Sequence, residues 1–119
     1  MVHIKTSLFP YRLVLTRREP VQLSVDVVNN DAEEKTFSIE IEVPRTLGLE
    51  RAGAKIQDFK KFGPLAPGQE KHLVYDIHGK SSADDTTYPI TIMVHEHRAQ
   101  TNDVARTVTK RVELTVQSR

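Results

Sequence analysis

One pattern constrains this chain more than any other: apolar and polar side chains take turns, residue by residue, in one stretch after another. In EPVQLSVDVVNND, Val21, Leu23, Val25 and Val27 fall on one side while Gln22, Ser24 and Asp26 fall on the other. That is the two-residue repeat of a strand with one face in a core and one in water. KTFSIEIEVP repeats it, with Phe37, Ile39, Ile41 and Val43 inward and Ser38, Glu40 and Glu42 outward, until Pro44 ends the run for want of an amide hydrogen. HLVYDIH sets Leu73, Tyr75 and Ile77 against His72, Val74, Asp76 and His78, and YPITIMVHEH sets Tyr88, Ile90, Ile92 and Val94 against Thr91, Met93, His95 and His97. Val108, Val112, Leu114 and Val116 give a last strand its inner side. Lys110 falls on that inner side, so either a bulge shifts the register there or Lys110 lies where the strand end is open to water.

The punctuation between these runs is that of turns. Asn29, Asn30 and Asp31 bond readily to their own backbone and tolerate left-handed conformations. In GPLAPGQE, Gly63, Pro64, Pro67 and Gly68 set a corner, with Leu65 plugging the end of the core and Glu70 starting the next strand. A phosphate-cradling loop needs glycines opening a helix, with lysine and a hydroxyl at fixed offsets, and none of that follows. A further strand is expected around Leu8 to Thr16, with Pro10 confining part of it to an edge. AGAKIQDFKKF reads either as a short helix, from Ile56, Phe59 and Phe62, or as a short strand with a turn. About seven strands at intervals of roughly ten residues, without crossover helices, predict an all-β antiparallel sandwich occupying residues 1–119 as a single domain.

Composition excludes several chemistries. The 119 residues include no cysteine, which removes disulfides, thiolate metal sites and thiol nucleophiles. No run reaches the roughly 18 apolar residues of a spanning helix, so no membrane insertion is expected. MVHIKTSLFPYRLVL is interrupted by Lys5, Pro10 and Arg12 and lacks the apolar centre of a secretory signal. Cytoplasmic residence is the reading of the chain as given, and secreted or cell-surface placement the reading if it is excised from a longer one. The net charge of +1 is unevenly spread: Lys5, Arg12, Arg17 and Arg18 precede any acid, Glu19 to Pro44 is acidic, and Arg45 to Lys61 is basic again. Such mixed blocks are not a nucleic-acid footprint. Binding through Arg12, Arg17, Arg18, Lys60 and Lys61 would need those side chains on one surface and Tyr11, Phe59 and Phe62 exposed for stacking, whereas the three aromatics are expected to fill the core.

Few residues form candidate sites. His95 and His97 are two apart, which on a strand puts both imidazoles on one face, near enough to share zinc or copper, with His72 and His78 as companions from a neighbouring strand. Two histidines are half a ligand set. Asp84 and Asp85 in KSSADDTT lack the repeated oxygen pattern of a calcium loop and read as a hairpin or solvated loop. Glu40 and Glu42 share a strand face and read as its wet side rather than as the acid and base of a glycosidase. No serine lies in a nucleophile elbow, and no cofactor is expected.

Three stretches together resemble the CARDB-type (cell-adhesion-related) immunoglobulin-like modules: Glu19, Pro20 and Val21 opening a strand that ends in Asn29 and Asn30, LAPGQE from Leu65 to Glu70, and TYPITIMV from Thr87 to Val94. The resemblance spans roughly Val14 to Val116 and implies an immunoglobulin-like sandwich acting as a non-catalytic binding or spacer module. The expected function is therefore an interaction or structural module for protein, polysaccharide or self-association, through a sheet edge or the segment from Arg45 to Phe62. The alternative is a small metal-binding protein or enzyme built on His95 and His97.

Overall fold

The alternating stretches become strands, and the strands stack as two sheets with their apolar sides together. The computed structural model describes residues 2–51, 54–80, 82–98 and 103–118; Ala52 and Gly53 of AGAKIQDFKKF and Ser81 of KSSADDTT lie outside the described residues. In chain order the strands are β1 (Val2–Phe9), β2 (Arg12–Val14), β3 (Val21–Asn29), β4 (Lys35–Glu42), β5 (Leu47–Gly48), β6 (Gln57–Leu65), β7 (Glu70–Gly79), β8 (Thr86–His97) and β9 (Val104–Gln117). One short 3-10 turn, Leu15–Arg17, follows β2. One sheet has the order β1-β3-β7-β5 and the other β2-β9-β8-β4-β6. No helix among the described residues is long and apolar enough to cross a membrane.

The expected inward faces of β3 and β4 are the core. Val21, Leu23, Val25 and Val27 of β3 have almost no exposed surface, and neither do Phe37, Ile39 and Ile41 of β4 nor Ile90, Ile92 and Val94 of the neighbouring β8, which belong to the second sheet and the same core. Each such side chain contributes about 1.5–3 kcal/mol by leaving water, which makes the alternation itself the dominant folding signal. Phe37 and Phe62 lie with ring centroids 6.0 Å apart across the β4–β6 pair.

Three expectations change. Among the described residues there are nine strands rather than about seven, because β2 and β5, of three and two residues, are too short to show periodicity. The expected strand from Leu8 to Thr16 is two: the chain leaves β3 after Phe9, turns at Pro10 and Tyr11, and pairs as β2 in parallel with β9 of the other sheet. Among the described residues this is the one parallel pairing, the others being antiparallel. AGAKIQDFKKF resolves as strand from Gln57 onward, paired with β4. Lys110 follows neither alternative. The register of β8 and β9 is unbroken around it, and its ammonium donates to the Ile4 carbonyl of β1 across the sandwich at 3.2 Å.

The Gly63–Gly68 corner is pinned by a buried asparagine. Asn29 ends β3, and its side-chain amide donates to the carbonyls of Leu65 (2.8 Å) and Glu33 (2.9 Å) while its oxygen accepts from the Asp31 amide (3.0 Å). Its backbone accepts from Gly68 at 2.7 Å and donates to Gln69 at 3.0 Å, so two turns close on one residue. Leu65 is buried as expected. Gly63 has φ +110° where β6 carries one more residue than β4, and a Cβ there would press on the Lys35 carbonyl. β1 starts at this Asn29 end and β9 finishes at the opposite one, where the Ser118 amide donates to Asp85 at 2.7 Å.

Two predictions follow from the buried polar groups. Asn29→Ala leaves three backbone groups unpaired and is expected to lower the unfolding free energy by about 2–4 kcal/mol in urea titration. Tyr75 has the opposite sign: its hydroxyl is buried without a hydrogen-bond partner, and burial, then the Asp58 charge, pushes its pKa from 10.0 up to about 12. Its raised pKa adds stability that is whole below pH 10 and lost as pH climbs toward 12. Tyr75→Phe should therefore leave stability at pH 7 unchanged or higher and flatten the decline above pH 10.

Candidate functional site

The histidine pair lies on the outer face of the five-stranded sheet, as its spacing requires, since Val94 and Glu96 face inward between and beside them. Each imidazole is already engaged. On β8, His95 stands beside Ser38 of β4 and Thr107 of β9; its Nδ1 bonds to the Thr107 hydroxyl at 2.8 Å and its Nε2 to Glu40 Oε1 at 3.2 Å. His97 Nε2 bonds to the Ser38 hydroxyl at 2.8 Å, and both residues are buried. Ser38, expected on the wet side, sits on the outer face but beneath His97, which takes its surface away from water.

Both nitrogens of His95 are thus committed to a carboxylate and a hydroxyl, and a metal would have to displace one of them. The expected companions are elsewhere: His72 lies on β7 in the other sheet, bonded to Asp26 of β3, and His78 lies at the opposite end of the molecule on the same strand. Among the described residues no group of three or more His, Asp or Glu side chains is placed to hold a metal ion. Thr107, His95 and Glu40 do form a hydroxyl–imidazole–carboxylate line. It runs across a sheet surface, where the amides of β4 and β8 are committed to ladders on both sides and offer no donor pair for a developing oxyanion.

Parity also hides a residue that the sequence reading passed over. Glu96, between the two histidines, points inward, is buried, and meets the Lys35 ammonium at 3.7 Å. Its position in the alternation was the available signal. In KSSADDTT the backbone amide of Asp84 donates to the Tyr88 hydroxyl at 2.9 Å, and the Asp85 carboxylate accepts from the Ser118 amide at 2.7 Å. The basic residues named for nucleic acid divide between edges, Arg12 on β2 and Lys60 and Lys61 on β6 at the far side of the same sheet. Phe62 fills the core, whereas Tyr11 and Phe59 are exposed, which corrects the expectation that all three are buried.

The exposed apolar groups are not scattered evenly. On one side of the sandwich β1 is the edge of its sheet, and β9 from Val104 to Glu113 has no strand beyond it, because β2 pairs only with Thr115 to Gln117. Phe9 (79% exposed) and Tyr11 (68%) stand at one end of this two-edged side, with the Arg12 guanidinium 4.9 Å from the Tyr11 ring centre, and Val104 (48%) stands at the other.

The chain is similar in fold to a FixG-related protein from Vibrio parahaemolyticus. The two superpose with a TM-score of 0.61 over 98% of this chain and 96% of that one, at 9% sequence identity. At that identity the likeness extends to the arrangement of strands alone. No family model and no curated protein matches the sequence.

Because His95 has no free ring nitrogen, zinc in about tenfold excess is expected to leave the melting temperature unchanged. A rise that disappears in His95→Ala would overturn this, since a ligand bound only to the folded chain must stabilise it.

Proposed function

We propose that this chain is a non-catalytic immunoglobulin-like interaction or structural module that binds another polypeptide, foremost a second copy of itself, along the side bounded by β1 and β9. The observation that carries the reading is the coincidence on one side of two unpaired strand edges with three of the most exposed large apolar residues, Phe9, Tyr11 and Val104. An unpaired edge is a row of backbone donors and acceptors ready to extend the ladder, and exposed aromatics beside an arginine are the residue types that anchor interfaces.

Two features support the immunoglobulin-like part. The strand orders β1-β3-β7-β5 and β2-β9-β8-β4-β6, with the first segment divided between sheets, match the two sheets of that architecture with one added edge strand. Tyr88, near the start of the strand that corresponds to the sixth of that fold, bonds through its hydroxyl to the backbone four residues upstream, as in a tyrosine corner. The usual disulfide and tryptophan have no counterpart in a chain without Cys or Trp. The resemblance to CARDB-type modules agrees with the same reading. The alternative built on His95 and His97 has less support, since their nitrogens are engaged as described.

Light scattering across a concentration series tests the proposal. The expected result is a dimer whose mass falls to that of one chain in the Phe9→Ala/Tyr11→Ala variant, with the β1 amides that face away from β3 protected from exchange only in the parent protein. A single-chain mass at every concentration would overturn self-association, and a glycan array would then separate a polysaccharide from a foreign strand as the occupant.

A further inference from the structure

At the end of the sandwich opposite Asn29, a cleft of about 740 Å³ opens between the β2 segment with its following turn and the end of β7. Its floor is apolar, made by Leu13 and Leu15. Gly79 allows this, because a Cβ there would fall 2.4 Å from a Leu15 methyl and 2.8 Å from one of Leu13. Its walls are basic: Arg18, Arg51 and Lys80 line it together with His78 and Thr16, and Glu19 is the only carboxylate among the lining residues. Three fixed positive charges against one negative leave an excess of two.

None of these cations has an ion-pair or hydrogen-bond partner for its side chain among the described residues. Of the other half-buried lysines, Lys35 meets Glu96 and Lys110 meets the Ile4 carbonyl, whereas Lys71 of β7, like Lys80, has no side-chain partner among the described residues. Lys80 is half-buried and lines the cleft, its backbone amide fixed to the Thr46 carbonyl at 3.0 Å. Arg18 is held in a left-handed conformation (φ 54°), its amide donating to the Leu15 carbonyl, and it lines the cleft beside that turn. Three positive charges gathered with a single carboxylate around an apolar floor leave a net repulsion, which is relieved when an anion enters.

We infer that this cleft binds a small multivalent oxyanion, an organic phosphate or polycarboxylate, with Arg18, Arg51 and Lys80 as the charge-bearing contacts. Arginine guanidinium forks match the paired oxygens of phosphate and carboxylate alike, and a lysine adds a point charge between them. The volume lies within the range of small-molecule sites, and the leucine floor accommodates an apolar portion of the same ligand. The site is separate from the edge proposed for association and stands or falls independently of it.

Pyrophosphate and citrate, titrated separately and followed by amide chemical shifts, are the probes. The expected result is saturable binding by at least one of them, with shifts centred on residues 13–19 and 78–80, weakening as salt is raised. The variant Arg18→Ala/Arg51→Ala/Lys80→Ala should bind at least about tenfold more weakly. Lys5→Ala/Lys60→Ala/Arg106→Ala, which removes three cations outside the cleft, should bind as the parent does. Tighter pyrophosphate binding assigns the site to phosphates and tighter citrate binding to carboxylates. Absence of saturable shifts with both probes, or equal weakening in the two triple variants, would overturn the inference.

Discussion

Everything in this structure follows from one division: the first segment of the chain serves both sheets. Had residues 2–16 formed one strand, a single sheet would have gained a full edge and the other would have lost its only cover over β9. Instead β1 closes against β3, the chain turns at Pro10 and Tyr11, and β2 covers only the end of β9, from Thr115 to Gln117. Two edges stay open on the same side as a result. The exposure of Phe9 and Tyr11 has the same origin, since a crossover between layers passes outside the core that both layers share.

That division also gives Lys110 its role. An inward-facing lysine in mid-strand contradicts the alternation, yet the place it occupies is where the two sheets part at their open side. Its alkyl chain covers the inner surface while its ammonium reaches the Ile4 carbonyl. A charge at such an opening is also a known way for natural sheets to discourage indiscriminate pairing. The side is thus polar in its middle and apolar at its two ends, an arrangement that favours one alignment of a partner over sliding registers.

The sequence made the core faces of β3, β4 and β8 legible because burial enforces a strict two-residue period there. Val21 to Val27, Phe37 to Ile41 and Ile90 to Val94 could be assigned from alternation alone. The corner at Gly63–Gly68 was legible from its proline and glycine positions. What escaped was everything set by pairing across distance. Nothing local says that Asn29 reaches Leu65, that Ser38 lies beneath His97, or that His72 belongs to the sheet opposite His95. The basic cleft was invisible for the same reason: Arg18, Arg51 and Lys80 are far apart in sequence, and only the docking of the turn after β2 against the end of β7 gathers them.

The opposed placement of the chain's two described ends has a mechanical meaning. Val2 begins at the Asn29 end and Ser118 lies at the other, along a body 48 Å long and 22 Å wide. Tension applied between them runs parallel to the strands. It must therefore slide β1 along β3 and β9 along β8, stretching many ladder bonds at the same moment, whereas a hairpin pulled from adjacent ends would peel open one rung after another.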